Sequence, residues 1–212
     1  MKKSSCNTLL LSFVAITGLF ITGCGNPADE VTPADVKPAA AVTTPAATDA
    51  SATSHAILAE SKIDFVGSKV TGKHEGGFKT FSGALSVADG KLVAEGSAVE
   101  IDMTSTWSDA EKLTGHLKSP DFFDVEKFPS ASFTLSSVEA GADGKTTITG
   151  NMMLHGVTKS ITFPADVTVA EGQVSLKAEF SLKRFDFDIK YPGKADDLIR
   201  EEVVIKLDVQ AK

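Results

Sequence analysis

At 212 residues, the chain can bury a sizeable core in one domain without needing a second fold, and one domain is expected. Its formal charge is −7, which excludes the basic surface that a nucleic-acid partner needs for its phosphates.

The first residues carry Lys2 and Lys3, then an apolar run from Thr8 to Thr22, then Ile21-Thr22-Gly23-Cys24. That is the layout of a secretory signal over residues 1–23, and the run is short for a membrane span. Its removal leaves 19 basic against 28 acidic side chains. Ile-Thr-Gly-Cys resembles the bacterial lipobox, in which the cysteine is acylated and becomes the new N-terminus. An ordinary signal peptide that happens to contain a cysteine is the alternative. Cys6 would leave with the signal and Cys24 would be used by lipid, so the domain keeps no thiol for a disulfide or for catalysis. Each buried acyl methylene contributes about 0.8 kcal/mol, and more than one chain makes anchoring stable. The residue after Cys24 is Gly25 and not aspartate, which favours the outer membrane, facing the periplasm, if the host has two membranes.

Residues 24–55 hold Pro27, Pro33, Pro38 and Pro45 among many Ala and Thr, with valine the only large apolar residue type. Such a stretch cannot repay the entropy of ordering, and it is expected to be a disordered tether with a reach of about 30 Å.

From residue 56 to 212 the pattern changes to short alternating segments punctuated by Gly, Asp and Asn, the mark of an all-β domain. Eight strands are predicted. The first spans 57–66 with Ile63 and Phe65 in phase. The second spans 78–87 with Phe81, Leu85 and Val87. A turn at Ala88-Asp89-Gly90-Lys91 leads to the third, 92–103, with Val93, Val99 and Ile101. The fourth, 131–138, sets Phe133 and Leu135 against Thr134 and Ser136, and Ala142-Asp143-Gly144 turns the chain again. Period two then runs through Ile148, Met152 and Leu154, through Val157, Ile161, Phe163, Ala165, Val167 and Val169, and through Val174, Leu176, Ala178, Phe180 and Leu182. The last strand, 199–209, alternates Ile199, Val203, Ile205, Leu207 and Val209 with polar residues. Eight strands with one apolar face each are best satisfied by a closed or nearly closed antiparallel barrel, which removes unpaired edges. A two-sheet sandwich is the other architecture.

One stretch, about 108–124, breaks the β pattern. Ser108-Asp109-Ala110-Glu111 has the form of a capping box, with Leu113 and Leu117 on one helix face. Gly115 weakens that helix. Ser119-Pro120-Asp121 suggests a second helical turn carrying Phe122 and Phe123, and the stretch is placed over one mouth of the barrel.

Chemistry-bearing constellations are sparse. His55, His74, His116 and His155 form no local pair of the kind zinc or copper uses. No Gly-x-Ser-x-Gly elbow or phosphate loop occurs. Asp121 with Asp124, and Glu201 with Glu202, fit a solvated acidic face better than an acid–base pair. No catalytic residue, metal or cofactor is therefore predicted. After the leader the chain has eleven phenylalanines but only Trp107 and Tyr191 as polar-edged aromatics. That inventory suits a dry cavity, and equally an interior filled by its own side chains.

The run His116-Leu117-Lys118-Ser119-Pro120-Asp121-Phe122-Phe123-Asp124-Val125-Glu126-Lys127-Phe128-Pro129, followed by Ala131-Ser132-Phe133, resembles the signature of the YceI-like family. Gly77-Phe78-Lys79 with Phe81-Ser82-Gly83, Leu154-His155-Gly156-Val157-Thr158-Lys159, and Asp196-Asp197-Leu198-Ile199 agree with it, and the resemblance covers about 57–211. It implies a lipocalin-like eight-stranded barrel with a short helical segment, in a family of exported bacterial proteins that hold polyisoprenoids or other long-chain lipids. This chain departs from simpler members by its lipobox and tether, and by Asp188, where relatives often have glycine.

With that family in view, Phe65, Phe81, Ile101, Phe133, Met153, Ile161, Phe163 and Phe180 are expected on the cavity wall, with Leu117, Phe122 and Phe123 near the entrance. Met153 is out of phase with its strand. Lys118, Lys159 and Arg184 are candidates for a charged head group, and His155 for a turn residue or structural hydrogen-bonder. The partners implied are a long apolar lipid, such as a quinone or polyprenyl phosphate, and a membrane through acylated Cys24. A filled barrel acting through protein–protein contacts is the alternative function, an enzyme is the reading least supported, and pairing of barrels into a homodimer is left open.

Overall fold

The computed structural model describes residues 25–39, 52–141 and 143–212. Cys24 and the leader lie outside the described residues, as do 40–51 and Ala142 of the turn expected at 142–144.

The long strands are β4 (Lys62–Lys69), β5 (Gly72–Phe78), β6 (Phe81–Ala88), β7 (Lys91–Asp102), β9 (Ser130–Ala140), β10 (Thr146–Leu154), β11 (Val157–Ala170), β12 (Gln173–Lys183) and β14 (Asp197–Ala211). Shorter pieces are β1 (Thr32–Pro33), β2 (Asp35–Pro38), β3 (Thr53–Ala56), β8 (Thr106–Ser108) and β13 (Gly193–Lys194), and the helix is α1 (Glu111–Lys118). They form one curled sheet in the order β3-β6-β7-β9-β10-β11-β12-β14-β4-β5-β8. The β3 end of the sheet closes onto the C-terminal end of β14, where Ala56 and Lys212 exchange backbone hydrogen bonds of 2.9 Å and Leu58 N–H donates to Gln210 at 2.8 Å. The all-β, nearly closed barrel is thus the observed class.

Asp89-Gly90 and Glu171-Gly172 have positive φ at both residues, the mirror-image turn that matches the twist of a tight hairpin. His155-Gly156 does the same, and His155 Nδ1 lies 3.2 Å from the Phe187 carbonyl oxygen. The histidine is a turn residue tied to a neighbouring loop.

Five local expectations are corrected. Strand β5 was not foreseen, because Gly72, Gly76 and Gly77 hide its alternation. A Cβ on Gly76 would stand 2.5 Å from the Phe65 ring and 2.6 Å from the Trp107 carbonyl oxygen, so the ring occupies the place a side chain would take. The first strand starts at Lys62, with Ile57 left in an isolated bridge to Ala211. The capping box is absent: the N-cap of α1 is Ala110, with no side-chain hydrogen bond. Asp109 turns instead to β5, where its carboxylate accepts from Glu75 N–H at 3.0 Å and meets His74 Nδ1 at 2.8 Å. The Glu75 N–H and then His74 hold that carboxyl below its ordinary range. Ser119-Pro120-Asp121 forms a turn and not a second helical one.

The fifth correction concerns the tether expected over 24–55. Residues 25–38 lie on the barrel. Asn26 Oδ1 accepts from Ser68 on β4 at 3.4 Å, Ala28 is buried against Val66 and Val204, and β1 and β2 pair with β12 and β11. Composition alone misleads here because the wall supplies partners that an isolated segment lacks.

Candidate functional site

The inward faces of nine strands enclose one apolar cavity with about 200 Å³ open to a water-sized molecule. An apolar void of about 150 Å³ already takes a benzene in another protein.

Period two decides which side chains reach it. On β10 the inward phase is Ile148, Gly150, Met152 and Leu154. Ile148 is fully buried, while a Cβ on Gly150 would meet the Phe133 ring at 2.4 Å. On β14, Ile199, Val203, Ile205, Leu207 and Val209 all line the cavity.

Of the expected wall residues, Phe65, Ile101, Phe133, Ile161, Phe163 and Phe180 line it. So do Leu117, Phe122 and Phe123 of the helical stretch. Two do not. Met153 is 38% exposed, because Met152 holds the inward phase. Phe81, opposite Ile101 on β7, packs against the cluster of Ile63, Ile101, Met103 and Ala131, which lines the cavity, without itself lining it. Sequence reasoning had seen the phase of Leu85, Leu135, Leu176 and the β14 residues without naming them as wall. Phe78 and Ile189 carry no such signal, since one sits at a strand end and the other in a loop, whereas Met103 continues the phase of Val99 and Ile101.

Aromatic clusters flank the helical stretch. Phe65, Phe78 and Phe123 have ring centroids 5.8 to 6.2 Å apart. His116, Phe122 and Tyr191 meet at 4.9 to 5.3 Å, with His116 Nε2 2.7 Å from Asp121 Oδ2.

Among the described residues, the charged group on this wall is Arg184, which is 5% exposed. Its Nε donates to the Arg200 carbonyl at 2.9 Å, Nη1 to Ile189 at 2.7 Å and Nη2 to Ile199 at 3.2 Å. Those three carbonyls orient the guanidinium but do not neutralise it. Burial pushes its pKa down from the ordinary value, and the Glu201 carboxylate offsets part of that. A guanidinium stays protonated through such a shift. The other two head-group candidates do not reach the cavity: Lys118 borders a shallow surface cleft with Thr104 and Trp107, and Lys159 is half-buried on β11 opposite Pro38. Asp188 has φ +61° at the end of the short helical turn after β12, the conformation for which glycine is usual. Among the described residues, no three His, Cys, Asp or Glu side chains converge as a metal site would require.

A model of the YceI-like domain matches residues 55–211. A UPF0312 protein of Pseudomonas putida is 33% identical over 138 residues, covering 62% of this chain and 71% of the relative. One from Vibrio vulnificus is 39% identical over 99 residues, 47% of this chain and 52% of its own. Among solved structures, BcnA of Burkholderia cenocepacia superposes with a TM-score of 0.66 at 24% identity, covering 73% of this chain and 98% of that one. A polyisoprenoid binding domain from Saccharophagus degradans superposes with a TM-score of 0.60 at 17% identity, covering 75% and 97%. At those identities the two structures share the fold.

Proposed function

The chain belongs to the YceI-like family, and we propose that it holds one long apolar lipid in the barrel, with the tail among the phenylalanines and an anionic or polar head toward Arg184. The observation that carries the reading is a cavity walled almost wholly by hydrocarbon, with the buried Arg184 cation on it. The structural likeness to a polyisoprenoid binding domain supports a prenyl chain as the tail, which makes an isoprenoid quinone or polyprenyl phosphate the preferred ligand class. Burying such a chain contributes about 25 cal/mol per Å² of apolar surface, less the cost of fixing it. Carriage, buffering or sensing needs no bond to be made or broken.

The test is organic extraction and mass spectrometry of the chain purified from a bacterial envelope beside an unrelated exported protein. A stoichiometric prenyl lipid absent from the control is expected. A barrel that is empty and refuses added quinone and polyprenyl phosphate would leave the filled-barrel, protein-contact reading in its place.

The same proposal includes export with residues 1–23 as signal, acylation at Cys24, and the outer membrane of a Gram-negative host as the location. Ala28, which is buried, lies four positions after Cys24, a span of at most about 14 Å, so the anchor would keep the barrel close to the bilayer. Cys24→Ala should move the protein from the membrane to the soluble envelope fraction. Unchanged fractionation would sink the anchor and leave the lipid-binding reading standing.

A further inference from the structure

Strands β11 and β12 leave a gap in the barrel wall. They pair only from Asp166 opposite Lys177 to Ala170 opposite Gln173, and beyond that they part. Pro164 lies just past the last pair. A proline has no N–H for a ladder and is confined to strand edges and bulges.

The chain fills this gap with its own residues 32–38. Thr32 and Pro33 run parallel to Phe180 and Ser181 on β12, and Ala34 N–H donates to Ser181 at 2.7 Å. Asp35–Pro38 run antiparallel to Thr162–Lys159 on β11. The insert alternates like the wall around it: Ala34 and Val36 pack on the core, while Asp35 and Lys37 are exposed and ion-paired. The rings of Phe163 on β11 and Phe180 on β12 stack with centroids 4.2 Å apart and planes at 11°.

Pro33 and Pro38 deny the insert two donors of its own, and most of its side chains face water. A short strand with few buried contacts and few hydrogen bonds opens at lower free energy than the core strands beside it. The gap it covers is flanked by Ile161, Phe163, Phe180 and Leu182, all on the cavity wall. The cavity's 200 Å³ is also below the roughly 300–1,000 Å³ of ordinary ligand pockets, so a long chain needs the wall to give.

We propose that residues 32–38 are a displaceable strand, and that the gap between β11 and β12 is the lateral port by which an apolar chain enters the barrel. The inference rests on the lipid-binding reading above. Moving the strand exposes the cavity lining directly and lets the Phe163–Phe180 pair separate. Because Thr32 lies eight residues after Cys24, the port and the anchor belong to one segment, and an acylated protein would present the port beside the bilayer.

The test locks the strand. Asp35 and Thr162 are directly opposed on an antiparallel pair, whose Cα spacing of about 4.5–5.5 Å suits a disulfide. In the full chain with Cys6 and Cys24 replaced by serine, Asp35→Cys with Thr162→Cys is oxidised, and uptake of pyrenedodecanoic acid from phosphatidylcholine vesicles is followed. Oxidation should slow uptake by about tenfold or more, with the final occupancy unchanged and dithiothreitol restoring the rate. Equal rates in both redox states, with normal occupancy, would overturn the port and leave lipid binding intact. No uptake in either state would remove the lipid-binding reading and the port with it. Hydrogen exchange needs no ligand: the amides of 159–163 should exchange faster than those of 166–170, and the lock should slow them. Equal protection in the reduced chain would also overturn the proposal.

Discussion

Phe180→Ala is expected to lower the free energy of unfolding by about 3–5 kcal/mol, the cost of deleting a fully packed phenylalanine ring and leaving its space behind. The ring is 2% exposed, stacks on Phe163, and sits on β12 where that strand leaves β11 and takes up Thr32. Two surrounding elements cannot close the space. β12 is held along its length by β14, from Val174 opposite Ala211 to Lys183 opposite Glu202, and Phe163 is fixed by β10, where its partner is Ile148. Urea denaturation should show a lower midpoint with an unchanged slope. The enlarged cavity should still take pyrenedodecanoic acid, since the change removes no polar contact. A loss below about 1 kcal/mol would mean that the site collapses, and that the wall at the gap is softer than the strand pairing implies.

Arg184 should give the second large effect, in ligand choice as well as stability. Arg184→Gln takes a charge-assisted donor from three carbonyls, each such bond worth about 1.5–3 kcal/mol. Relief from burying the cation returns part of this, so a net loss of about 2–4 kcal/mol is expected. The selectivity consequence is sharper. A fixed cation in an apolar wall should favour pyrenedodecanoic acid over its methyl ester by about tenfold or more. Arg184→Gln should bring that ratio close to one, whereas Arg184→Lys should keep most of it while losing the grip on Ile189, Ile199 and Arg200. An unchanged ratio in Arg184→Gln would show that the head lies elsewhere. Parallel urea curves separate lost selectivity from lost fold.

The alternation of β11, β12 and β14 is plain because nearly every inward position carries an apolar side chain, and this puts Ile161, Phe163 and Phe180 on the wall. The same rule, strictly applied, excludes Met153 in favour of Met152. Strand β5 escaped because its inward position is Gly76, where the side-chain space is occupied by Phe65 from the next strand. A one-dimensional pattern cannot show a ring donated across a sheet. Lys118, Lys159 and Arg184 were equivalent as sequence, and only the β12–β14 connection buries one of them against the cavity.

By itself the sequence determined the all-β class, the positions of most strands and turns, and the apolar character of the interior. These follow from local rules: period two, and the backbone freedom of Asp-Gly turns. Only the tertiary structure decided that residues 25–38 belong to the barrel, that β11 and β12 part beyond Asp166, and that Arg184 is the cation left facing the cavity. Those are questions of which edges and carbonyls are left without partners once the sheet has curled, and they have answers only after distant strands have met.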